Sequence, residues 1–101
     1  MLASRERKRL RQLAHHLEPL VVVGDRGITE AVVAETRRAL GDHELIKARL
    51  NVADRTLRRE WSDDLAARCA ADIVQTIGKV VVLYRENPEA DPRLSNVARL
   101  T

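Results

Sequence analysis

Two glycines, Gly24 and Gly27, flank Asp25 and Arg26. They stand between an apolar run, Leu20 to Val23, and a segment that reads as a helix from Thr29 onward. Glycine lets backbone approach a ligand closely and take a positive φ. Free N–H groups at the start of a helix favour an anion beside them. The chemistry on offer is the non-covalent gripping of a phosphate. A strand-to-helix turn needs glycine as well, so these four residues do not decide the matter alone. They are not a nucleotide P-loop, since no Gly-Lys-Ser or Gly-Lys-Thr follows, and they do not match G-x-G-x-x-G.

A second group sits at the start of the chain. Residues 1 to 11 hold Arg5, Arg7, Lys8, Arg9 and Arg11 against one acid, Glu6. That segment nets more positive charge than the whole chain, whose formal charge is +3. On a helix, Arg5, Lys8, Arg9 and Gln12 share a face, with Arg7, Arg11 and His15 beside it. Charge runs are commonly a solvated surface, but one this lopsided has the electrostatic footprint of a polyanion site. Lys47 and Arg49, on one face of a later strand, and Lys79, in a turn, extend the candidate set.

Other chemistry lacks support. His15 and His16 are adjacent and diverge on a helix, His43 is distant, and Cys69 falls on an apolar stripe, so no zinc spacing emerges. Asp63 and Asp64 are neighbours and diverge likewise. No nucleophile and base stand at a catalytic spacing. The reading is a protein without enzymatic activity, metal or cofactor. Trp61 falls in the stripe Leu57, Trp61, Leu65, Cys69, which favours a core role over base stacking.

These residues need elements to position them. The chain has 101 residues, 45% hydrophobic and 33% charged, with Trp61 and Tyr84 as its aromatics. That is enough for one small domain with an aliphatic core. Residues 4 to 17 read as a helix with Ser4 as N-cap and Leu10, Leu13, Ala14 and Leu17 inward; Pro19 ends it. Leu20 to Val23 reads as a buried strand. Thr29 caps a helix to Leu40, with Gly41 as its C-cap. From Glu44 the period drops to two: Ile46, Ala48, Leu50 and Val52 face inward, Lys47, Arg49 and Asn51 outward. Asp54 or Thr56 caps a third helix. Residues 72 to 77 and 80 to 84 read as strands joined by Gly78-Lys79, a type II′ hairpin signal. Residues 86 to 101 read as a mostly disordered tail with one weak helical turn near its end. The order α-β-α-β-α-β-β implies an α/β domain with a four-stranded mixed sheet packed with helices.

One cysteine excludes an internal disulfide and fits a reducing compartment. No apolar run approaches the length of a spanning helix, and the basic start lacks the apolar stretch of a signal peptide. A cytoplasmic monomer with no membrane partner is expected.

Three stretches, LAHHLEPLVVVGDRGIT (13 to 29), HELIKARL (43 to 50) and IGKVVVLYR (77 to 85), resemble the CRM domain (chloroplast RNA splicing and ribosome maturation), and within it the stand-alone bacterial YhbY-like RNA-binding proteins. The resemblance covers roughly residues 4 to 85 and leaves the tail outside. It implies an α/β fold similar to the C-terminal domain of translation initiation factor three. It also implies RNA binding, with Gly24, Asp25, Arg26 and Gly27 placed like the GXXG loop with which KH domains clamp nucleic-acid backbone. The implied partner is ribosomal RNA or the precursor of the large ribosomal subunit. A separate reading of the basic helix is an adaptor that meets an acidic surface of a ribosomal protein or assembly factor. Asp25 departs from the pattern, which favours a basic or neutral residue there. A carboxylate beside a phosphate is repulsive, so either Arg26 does most of the gripping or Asp25 caps the turn and faces away.

Overall fold

The computed structural model describes residues 2–101. Its elements are α1 (Ser4–Ala14), β1 (Pro19–Val23), α2 (Glu30–His43), β2 (Leu45–Leu50), α3 (Arg55–Arg68), β3 (Asp72–Ile77), β4 (Val80–Tyr84) and α4 (Asn96–Leu100). The strands form one sheet in the order β1-β2-β4-β3. β1 runs parallel to β2, and β4 runs antiparallel to both β2 and β3. The expected α/β architecture is present, with β4 inserted between the two strands that α3 connects.

Alternation along β2 divides the core. Ile46, Ala48 and Leu50 point to one face, where α2 and α3 cover them together with Val21, Val23, Leu65, Val81 and Leu83. Leu45 points to the other, where α1 packs Leu10 and Ala14 over it with Val74 and Val82. Both faces therefore carry helix, and the basic α1 lies alone on its side except for the short α4.

Local chemistry sets most boundaries. Thr29 accepts from the Val32 N–H at 3.1 Å and caps α2, and Asp54 accepts from the Leu57 N–H at 3.0 Å and caps α3. In the β3–β4 hairpin Gly78 takes φ +55 while Lys79 keeps a negative φ, the combination a type II′ turn requires.

Several expectations need correction. The first helix stops at Ala14 rather than residue 17, because the Leu17 N–H turns back to the Ala14 carbonyl at 3.0 Å. Ala3 holds its N-cap position, without a side-chain bond, so Ser4 is not the cap. α2 runs through Gly41 to His43 and ends where Glu44 takes φ 61. β1 is an edge strand with one open face, leaving Leu20 49% and Val22 55% exposed.

In this structure residues 86–101 lie against the domain and end in the short α4. Asn96 is buried, its Nδ2 donates to the Leu45 carbonyl at 2.7 Å, and its Oδ1 accepts from Arg99 at 2.7 Å. The Ser95 hydroxyl donates to Glu44 Oε1 at 2.7 Å, and the Asn87 N–H donates to Glu44 Oε2 at 2.7 Å. These polar anchors hold a segment whose composition lacks the apolar stripe that would announce it.

Candidate nucleic-acid interface

The glycine loop begins where β1 ends. The Gly27 N–H donates to the Gly24 carbonyl at 3.0 Å, closing a tight turn with Asp25 and Arg26 at its corners. The Thr29 N–H then donates to the Gly27 carbonyl at 3.0 Å, and the chain enters α2. Both corner side chains are exposed. Among the described residues, neither makes an ion pair or a side-chain hydrogen bond. The turn is closed by backbone alone, so Asp25 is not its cap.

The two glycines have different work. Gly27 is buried with φ +73, and a Cβ there would stand 3.1 Å from Cζ2 and 3.2 Å from Cε2 of Trp61. The indole of α3 thus forms the floor of the loop. Gly24 is exposed, has no positive φ, and a Cβ there would meet nothing within 4 Å. Trp61 is half-buried on the α2–α3 side of the core, as its periodicity indicated. Nothing in the sequence shows that its ring also meets Gly27, 34 positions away.

The basic side chains divide into three groups. Lys8, Arg11 and Gln12 of α1 and His15, its C-cap, face Lys47 of β2 and Gln75 of β3 across an open groove. Within it Lys47 is held by donating to the Leu17 carbonyl at 2.9 Å. Arg49 lies two residues further along the same face of β2 and is exposed, its Nε donating to Asn51 at 2.9 Å. It pairs in register with Val22, next to the loop, and with Val80 on its other side. Arg49 thus lies beyond the groove on the same face of β2, at the end where β1 runs into Gly24. Lys79 belongs to the same end of the sheet: its carbonyl accepts from the Leu50 N–H at 2.7 Å, while the next N–H, of Asn51, donates to Val23 at 2.9 Å.

The remaining arginines of the first helix stand apart. Arg7 reaches over β3, where Nη1 donates to the Ile73 carbonyl and to the Val74 carbonyl at 3.2 Å. This contact falls where the β3–β4 register shifts, so Arg7 satisfies carbonyls of an irregular strand. Arg9 donates to the Thr101 hydroxyl at 2.9 Å. Arg5 is exposed and lines neither the groove nor the loop. A helical wheel groups these arginines; only the packed helix shows which of them face the groove.

The chain belongs to the CRS1/YhbY (CRM) domain family, whose pattern matches residues 2–85. A Pseudomonas aeruginosa protein named "Probable RNA-binding protein" is 45% identical over 98 residues, covering 97% of this chain and 94% of that one. A Haemophilus influenzae protein named "RNA-binding protein" is 42% identical over 93 residues, covering 92% and 94%. The solution structure of a Staphylococcus aureus protein superimposes with a TM-score of 0.79 at 31% identity, covering 90% of this chain and 95% of that one. Among the described residues, no helix is long and apolar enough to cross a membrane.

Proposed function

We propose that this protein is a non-enzymatic RNA-binding module that grips the phosphates of structured ribosomal RNA during assembly of the large ribosomal subunit. The observation that carries the reading is the cationic groove of Lys8, Arg11, His15 and Lys47, with Arg49 beyond it on the same face of β2, beside the strand that ends at the glycine loop. Family membership and the names of the relatives support RNA as the polyanion. Gly24 leaves room for backbone to approach a phosphate, and Arg26 supplies an exposed guanidinium beside it. Trp61 is engaged beneath Gly27, which leaves few aromatic faces for stacking. Recognition then rests on shape and phosphate rather than base sequence. The protein acts as a cytoplasmic monomer.

A second reading, an adaptor that docks on a ribosomal protein or assembly factor, is favoured by the exposed Leu20 and Val22 on the edge strand β1. Digestion separates the two. Retention of the purified protein on large-subunit precursor particles should be lost after RNase treatment. Retention that survives complete digestion would reject the RNA reading in favour of the adaptor.

A further inference from the structure

A second set of cations lies on the other face of the sheet, outside every residue so far discussed except Lys79. Arg55, Arg58 and Arg59 of α3 and Lys79 of the β3–β4 hairpin line one concavity, in which Asp63 is the lone acid. Arg55, Arg59 and Lys79 are exposed, and among the described residues none makes an ion pair or a side-chain hydrogen bond. Arg58 is half-buried and fixed, its Nη1 donating to the Val52 carbonyl at 3.0 Å and the Ala53 carbonyl at 3.2 Å.

The placement works against the helix. The first turns of a helix favour acids, because the aligned peptide dipoles leave positive charge there. The first turn of α3 contains none and begins with Arg55. Three arginines and a lysine share that end with two carboxylates, Asp63 in the concavity and the N-cap Asp54, whose Oδ1 is engaged by the Leu57 N–H, so like charge predominates there. Arg58 is compensated by its two carbonyl bonds, but Arg55, Arg59 and Lys79 are not, and a local arrangement that opposes stability in this way marks a functional surface.

Position ties it to the glycine loop. β2 ends between the two features: the Leu50 N–H donates to Lys79 of the hairpin, and the Asn51 N–H donates to Val23 at the root of the loop. Hairpin and loop are thus separated by about two strand spacings, roughly 10 Å, the rise of about three stacked nucleotides. Gly27 rests on Trp61, which belongs to the same helix as the arginines.

We infer that the groove between α3 and the β3–β4 hairpin is a second phosphate-binding site, taking RNA backbone on the opposite side of the glycine loop from α1. This rests on the RNA reading above and deepens it. A folded RNA that presents two backbone segments fits both surfaces at once, with the loop between them.

The test is a salt titration of binding to a large-subunit ribosomal RNA fragment, using the full chain. The variants are Arg55→Gln/Arg59→Gln, Arg55→Lys/Arg59→Lys and Lys8→Gln/Arg11→Gln. Neutralising Arg55 and Arg59 should weaken binding and make the slope of log affinity against log salt shallower by about 1.4 to 1.8, the release of two counterions. The lysine pair should retain the parental slope, and the melting temperature of both should be unchanged or raised. A neutral α3 variant with parental affinity and slope, beside an α1 variant that loses both, would overturn the second site and leave the RNA reading standing. Parental behaviour in both neutral variants would overturn the two together.

Discussion

Gly24→Ala and Gly27→Ala should separate stability from binding within one four-residue loop. At Gly27 an added methyl meets two penalties. The φ of +73 places an L-residue in the left-handed region, which costs roughly 1–2 kcal/mol. Its Cβ would also stand 3.1 Å from the Trp61 ring, inside the ordinary carbon–carbon separation, and moving a packed indole costs about 1–3 kcal/mol. Together they give about 2–5 kcal/mol, and at 4–8 °C per kcal/mol for a domain of this size the melting temperature should fall by roughly 10 °C or more. At Gly24 neither penalty applies, since the backbone has no positive φ and nothing lies within 4 Å. Alanine there restricts the unfolded chain and should leave stability unchanged or raise it by up to about 1 kcal/mol. Yet Gly24→Ala should weaken RNA binding, because the methyl occupies the space through which backbone reaches a phosphate. Thermal melts of the two variants and fluorescence-anisotropy binding of Gly24→Ala to a ribosomal RNA fragment make the comparison. Equal melting temperatures for the two variants would refute the division of labour. Undiminished binding by Gly24→Ala would refute its part in the site.

Three other perturbations address the scaffold. Arg7→Ala leaves the Ile73 and Val74 carbonyls without their donor and should cost about 1–3 kcal/mol in urea unfolding, whereas Arg9→Ala, which loses an exposed contact to Thr101, should stay within about 0.5 kcal/mol. Asn96→Ala removes the buried tie to Leu45 and should make residues 86–101 a preferred site of limited proteolysis at unchanged far-UV circular dichroism. Burial pushes the Cys69 thiol above its ordinary value of 9.0, against the opposing pull of Arg37 and Arg85. Folded protein holds that proton more tightly than unfolded protein does, so this contribution to stability is complete below about pH 9 and is lost as the pH rises through the folded value. Alkylation by a maleimide at pH 8 should accordingly be slow until denaturant is added; rapid labelling of the folded protein would contradict the burial.

The elements that the sequence announces are those whose signals are local. Thr29 and Asp54 cap their helices through their own third neighbours, and Gly78-Lys79 turns the hairpin between strands with the expected limits. What escaped was set by contacts distant in the chain. Gly41 looks like a helix end, but α2 continues until Glu44, whose carboxylate is held by Asn87 and Ser95 from the tail. That tail is held by polar anchors, Asn87, Ser95 and Asn96, rather than by an apolar stripe. Residues of the proposed site show the same division. The glycine pair and the basic first helix stand out from type and spacing, but helical periodicity cannot separate Arg7, engaged by β3, from Lys8 and Arg11, which line the groove. In sequence Arg55, Arg58 and Arg59 are balanced by Glu60, Asp63 and Asp64, which follow closely, so nothing local marks a basic site. In the fold only Asp63 of those acids shares their concavity.

The most direct test of the central claim is a salt titration of wild-type protein and Lys8→Glu/Arg11→Glu on a large-subunit ribosomal RNA fragment. Four to six phosphate contacts give a slope of log affinity against log salt of about −3 to −5 for the wild type. Reversing two cations of the groove should make that slope markedly shallower and abolish tight binding, with the melting temperature retained. A shallow wild-type slope, with weak binding indifferent to the reversal, would contradict the account and turn attention to a protein partner on β1.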